Sequence, residues 1–203
     1  MFKKSKPIVL VHGLWDNPSL FDNFKSRLQE EGFSVLAPHL PHKYGYISIP
    51  ILARKLDRYI LNQLGQDVAI DLVGFSMGGL IARVWLQNMQ GAERTNRFFS
   101  IGSPHKGTFA AQMVPSWMLA GVAEMKRGSS FLRNLNDDIS SLRKVQCISY
   151  FCKLDLMVFP GWDAVLPFGI SCSVPVLTHK GLILNSSAIE ILVEDLLRGD
   201  IKT

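Results

Sequence analysis

An apolar run over residues 68–73 passes straight into Gly74-Phe75-Ser76-Met77-Gly78-Gly79, and the residues beyond it recur at helical spacing. Leu80, Ile81, Val84, Trp85 and Met89 form the apolar side of that helix. A serine caught between a strand end and a helix start occupies a tight turn that lifts its hydroxyl above the strand ends. Gly74 and Gly78 suit such a turn, because a Cβ at either would crowd the neighbouring strand or helix. The helix N-terminus also gathers backbone N–H groups where negative charge would develop. Ser76 is therefore the candidate nucleophile, against the plainer reading of a small-residue turn.

Around this element, β-rich apolar runs alternate with segments of helical period, which predicts parallel strands joined by crossover helices. Strands are expected at residues 7–11, 33–37, 68–73, 97–101 and 145–151, with a short edge strand at 174–177 that can carry Pro175. Asn17-Pro18 reads as an N-cap followed by proline at the first helical position, and Gly32 and Gly65 read as helix stops. Ser187-Ala188-Ile189-Glu190 has the form of a capping box for the last helix. No repeat or linker interrupts the pattern, so one domain over 1–203 is expected, of a length that supports one sizeable core.

With 47% apolar and 19% charged residues, the composition is that of a globular protein. The net charge of +5 is spread along the chain and no nucleic-acid motif accompanies it, so no nucleic-acid partner is expected. The basic start, Lys3-Lys4-Lys6, permits at most weak contact with anionic lipid headgroups. The apolar run behind it, residues 8–11, is too short for a signal-peptide core or a membrane span. Three cysteines, Cys147, Cys152 and Cys172, form neither a paired set nor a metal spacing and read as free buried thiols. A cytoplasmic location follows as the expectation, with a monomer as the simplest state.

Val11-His12-Gly13-Leu14-Trp15, Gly74-Phe75-Ser76-Met77-Gly78-Gly79 and Gly102-Ser103-Pro104-His105-Lys106-Gly107 together resemble the bacterial lipase/esterase branch of the α/β-hydrolase family, in order over nearly the whole chain. The resemblance implies a three-layer fold with a mostly parallel six-stranded sheet flanked by helices and at most a small lid. It also implies ester hydrolysis through an acyl-enzyme, with no cofactor or metal. By the same resemblance, the backbone N–H groups of Leu14 and Met77 would form the oxyanion hole, with His12 a structural loop residue.

Of the five histidines, His179 stands apart, after the last expected strand and before the final helix, where this fold places its general base. His39-x-x-His42 lacks a third metal ligand and reads as surface loop. Asp155, at the end of the fifth strand, is favoured as the orienting acid over Asp163, with Asp137 and Asp138 more remote. Trp15 and Phe75 flank the expected oxyanion hole and are expected to line a substrate pocket. Trp117 and Met118 are expected there too, within the Met- and Trp-rich residues 109–127, which read equally as an acyl-pocket wall or small lid or as a core helix, and Pro115 and Gly128 are expected to interrupt residues 109–143 into helical pieces. An ester or lipid substrate is the leading expectation. Acyl transfer or thioester hydrolysis on the same residues, and a non-catalytic binding protein of the same fold, remain the alternatives.

Overall fold

In a computed structural model, which describes residues 6–115 and 117–198, six strands form one parallel sheet in the order β2-β1-β3-β4-β5-β6. The elements in chain order are β1 (Ile8–Val11), α1 (Asp22–Glu30), β2 (Val35–Leu36), α2 (Ile49–Leu64), β3 (Ile70–Phe75), α3 (Met77–Asn88) and β4 (Thr95–Ile101). There follow α4 (Phe109–Gln112), α5 (Ala120–Glu124), α6 (Ser130–Asp137), β5 (Gln146–Phe151), β6 (Ile170–Ser173), α7 (Gly181–Leu184) and α8 (Ser186–Leu197).

The period of two along each strand divides the apolar residues between two layers. Val9, Val11, Leu72 and Phe98 face α2 and α3, whereas Ile8, Leu10, Val73, Phe75 and Phe99 face α1 and α8. Both faces are covered by helices, so β1 and β3 are fully buried and largely apolar. Between β3 and β4 a buried ion pair, Arg97 with Asp71 at 2.5 Å, is completed by Arg97 donating to the Leu196 carbonyl at the end of α8.

Asn17 accepts from the Ser19 N–H as expected, although the turn it opens, Pro18–Phe21, is a 3-10 helix leading into α1. Gly65 ends α2 with φ +72°. Two expectations are corrected. The edge strand is Ile170–Ser173, not residues 174–177: Val174 still donates to the Phe151 carbonyl, but Pro175 has no N–H to continue the ladder and the chain leaves the sheet. The cap of α8 is Asn185, whose side chain accepts from Ser187 and Ala188, two residues before the expected capping box. As expected from Pro115 and the left-handed Gly128 (φ +70°), residues 109–137 are divided into the short helices α4, α5 and α6. Val122 and Met125 turn into the core. No helix among the described residues is long and apolar enough to cross a membrane.

Candidate active site

Ser76 joins β3 to α3 with φ 55° and ψ −126°, a conformation that costs a non-glycine residue free energy and gathers at functional sites. Close packing fixes it there. A Cβ on Gly74 would lie 2.5 Å from the Gly79 Cα, and one on Gly78 would lie 2.0 Å from the Val11 carbonyl oxygen. The turn is thus pressed against α3 on one side and the end of β1 on the other. The Ser76 N–H donates to the Ile101 carbonyl of β4 at 2.8 Å, and its side chain stays partly exposed.

The loop after β1 reaches the serine from the other side. Gly13 lies so close that a Cβ there would be 2.8 Å from the Ser76 Cβ. His12 is buried: its Nε2 accepts from the Leu40 N–H at 3.1 Å and its Nδ1 donates to the Gly13 carbonyl at 3.0 Å. Burial also lowers its pKa, so it is a neutral strut for the loop. Leu14 follows, then Trp15 with φ +62°. Among the described residues the backbone N–H groups of Leu14 and Met77 have no acceptor.

The turn after β6 carries His179, which lines the same cleft as Ser76. Its Nδ1 donates to Asp155 Oδ2 at 2.7 Å, and Asp155 Oδ1 accepts from the N–H groups of Met157 and Val158 at 2.9 and 3.0 Å. The buried carboxylate therefore has charge-compensating donors on both oxygens. The imidazole rests on Phe75, with ring centres 4.9 Å apart, and against Gly102, where a Cβ would lie 3.0 Å from Cε1. His179 Nε2 is buried and has no hydrogen-bond partner. Asp163, the competing acid, is committed elsewhere: it pairs with Arg127, and its carbonyl accepts from the Lys106 N–H.

Ser76 and His179 line one cleft of about 440 Å³ at the C-terminal edge of the sheet. Its walls are largely apolar, with Leu14 and Trp15 from the first loop, Val114 and Met125 from residues 109–127, and Leu156 and Leu177 near the acid and the histidine. At its mouth Lys180 and Asp16 form an ion pair at 3.0 Å. The far wall is strapped to the acid loop by Thr108, whose hydroxyl donates to the Met157 carbonyl, and by the Arg127–Asp163 pair.

Trp15 lines the cleft and is 61% exposed, whereas Phe75, Trp117 and Met118 do not line it. The alternation along β3 turns Phe75 to the α1/α8 layer beneath His179, and Trp117 and Met118 stand exposed on the loop between α4 and α5. His39 is exposed as a surface-loop reading requires, but His42 is buried. The contribution of Gly102, the Asp16–Lys180 pair and the Thr108 strap carries no sequence signal, since each depends on chain segments meeting from afar. His105 does not itself line the cleft. Burial, reinforced by Arg83, holds its pKa well below the ordinary value, and its Nε2 is bonded to Ser100 Oγ at 2.7 Å.

A family model of the α/β-hydrolase fold matches residues 6–144. The chain belongs to the α/β-hydrolase family. The matched segment contains Ser76 but ends before Asp155 and His179. The solved structures it resembles include the mature form of the Bacillus licheniformis lipase BlEst2, at 16% identity over 96% of this chain and 93% of that one, with a TM-score of 0.75. An α/β-hydrolase enzyme from the metagenome of Mar Chica lagoon sediments aligns at 21% identity, covering 97% and 93% of the two chains with a TM-score of 0.71. At these identities the likeness is one of fold. Among curated proteins, the lysosomal thioesterase PPT2 homolog of Drosophila melanogaster is 25% identical over 113 residues. That match takes in 54% of this chain and 39% of the thioesterase, so the chain spans well under half of that relative.

Proposed function

We propose that this α/β hydrolase is a serine ester hydrolase acting on acyl esters with an apolar acyl chain. The observation that carries the reading is the Asp155–His179 hydrogen bond beside the strained Ser76, with His179 Nε2 left unpartnered in the same cleft. In this reading Ser76 Oγ attacks the ester carbonyl carbon and its proton passes to His179 Nε2. Asp155 holds the Nδ1–H tautomer and stabilises the imidazolium that forms. The oxyanion accepts hydrogen bonds from the Leu14 and Met77 N–H groups, of which losing one typically costs about 3–4 kcal/mol of barrier. Collapse expels the alcohol, which takes the proton from His179. Water then repeats the sequence on the acyl-enzyme and releases the acid.

The apolar walls of the cleft support an acyl chain as its occupant. Trp15 is the aromatic residue placed to contact it. Three free thiols fit a reducing compartment such as the cytoplasm. Rates across p-nitrophenyl esters from acetyl to palmitoyl test the substrate class. A maximum beyond acetyl is expected, and a monotonic fall from acetyl would contradict an acyl-binding cleft.

Thioester hydrolysis is the second reading, favoured by the similarity to the thioesterase. The two share nucleophile and base, so matched oxygen and thiol esters of one acyl chain separate them by kcat/KM. Acyl transfer to an added alcohol would appear as a new ester in the same assay. A non-catalytic role would appear as absence of fluorophosphonate labelling at Ser76.

A further inference from the structure

The segment just before α2 braces the loop after β1 in a way that ester chemistry alone does not require. The Trp15 N–H donates to His42 Nε2 at 3.1 Å. The same nitrogen lies 3.3 Å from the Asp16 carbonyl oxygen, but it cannot accept from Trp15 and donate to Asp16 together. The shorter contact has an obligatory donor, so Nε2 is unprotonated and the proton sits on Nδ1. That Nδ1 is buried and has no partner. A side chain placed only to fill this space would be better apolar, because an unpaired buried N–H is costly.

Backbone strain surrounds this single bond. Trp15 has φ +62°, and directly after His42 come Lys43, Tyr44 and Gly45 with φ of +45°, +57° and +100°. Non-glycine residues in the left-handed region persist only where their surroundings hold them there. Gly45 is part of the contact: a Cβ there would stand 2.7 Å from Val122 Cγ2 and 3.5 Å from Leu14 Cδ1. Residues 42–45 therefore touch both Leu14 and Trp15.

We propose that His42 is a positioning residue of the oxyanion loop: its unprotonated Nε2 anchors the Trp15 peptide and so fixes the Leu14 N–H beside Ser76. This rests on the assignment of Ser76 and Leu14 under Proposed function. The Trp15 N–H belongs to the peptide plane that directly follows Leu14, so anchoring it fixes one side of Leu14. Gly13, pressed on Ser76, fixes the other. His42 touches no reacting atom and acts through the loop.

The test compares His42→Phe, His42→Gln and Ser76→Ala on a short p-nitrophenyl ester. It also measures inhibition by an alkyl trifluoromethyl ketone, whose tetrahedral adduct carries the oxyanion. For H42F, kcat should fall about 10- to 100-fold and ketone affinity in proportion, with KM within about threefold, as expected for an interaction realised in the transition state. H42Q, whose amide oxygen can accept the Trp15 N–H, should keep kcat within about fivefold of the parent. Parental kcat in H42F, equal damage in H42F and H42Q, or a loss confined to KM would overturn the inference while leaving Ser76 in place if S76A is inactive. Retained hydrolysis by S76A would instead overturn the Ser76 reading itself. Should H42F fail to fold, nitrogen-15 NMR of the parent protein at neutral pH decides. A protonated Nδ1, with an unprotonated Nε2 coupled through the hydrogen bond to the Trp15 amide, is expected; a protonated Nε2 would overturn it.

Discussion

At the scale of single residues, the proposed mechanism rests on atoms that cannot be exchanged for close relatives. Asp155→Asn would keep the size of the side chain, but its NH₂ group can no longer serve as the carboxylate opposite His179 Nδ1–H. We expect kcat to fall by about 10³–10⁴-fold with little change in melting temperature, and a loss below tenfold would argue against Asp155 as the orienting acid. Gly102→Ala tests how His179 is seated. Its φ of +57° is strained for alanine, and the new Cβ would meet Leu182 Cδ1 at 2.8 Å and His179 Cε1 at 3.0 Å. Both stability and kcat should fall, and a variant with parental kcat would show that His179 does not depend on that contact.

The residue scale is also where sequence reasoning reached furthest and failed most specifically. Ser76, Asp155 and His179 stand out because each follows a strand at the same edge of a parallel sheet, a consequence of topology that alternating strands and helices make visible. Phe75 was misplaced because nearness in sequence to Ser76 hid the period of two that turns it to the opposite layer. His42 read as a surface residue because a His-x-x-His pair in a proline- and glycine-rich loop gives no sign of burial.

At the scale of elements, the central strands were legible because both faces are buried, whereas β6 (Ile-Ser-Cys-Ser) is half polar and sits at the edge. The start of α2 shows a different limit. Ser48 offers no side-chain cap, and the Ile49 N–H is instead taken by Glu124 of α5 at 2.6 Å, a partner 75 residues away. Local rules cannot find a cap delivered from that distance. The Asp71–Arg97 pair ties β3, β4 and the end of α8 together in the interior. Arg97→Met should cost about 3–5 kcal/mol by urea denaturation, because it strands a buried carboxylate; a change under about 1 kcal/mol would mean that Asp71 is compensated elsewhere.

At the scale of the whole molecule, the two layers share one sheet, and the loops at its C-terminal edge enclose the cleft. Global stability should depend on pH through two histidines kept neutral by the fold. Burial lowers the pKa of His105 well below its ordinary value of 6.5, with Arg83 acting in the same direction, and burial also lowers His12. The unfolded chain then binds more protons than the folded one as pH drops below about 6.5, so stability falls in that direction. Each histidine adds a slope of at most about 1.4 kcal/mol per pH unit until its folded-state pKa is passed. The melting temperature should decline from pH 7 to pH 5, and His105→Gln should flatten the decline. An unchanged slope in that variant would contradict the neutral, buried state assigned to His105.

What unites the three scales is the proposed reactivity of one hydroxyl. Incubating the protein with a fluorophosphonate and mapping the adduct by mass spectrometry measures it directly. The expected result is one adduct per chain, on Ser76, with loss of ester hydrolysis in step with labelling and neither labelling nor turnover in Ser76→Ala. Hydrolysis that survives full labelling, or an adduct on another residue, would contradict Ser76 as the nucleophile.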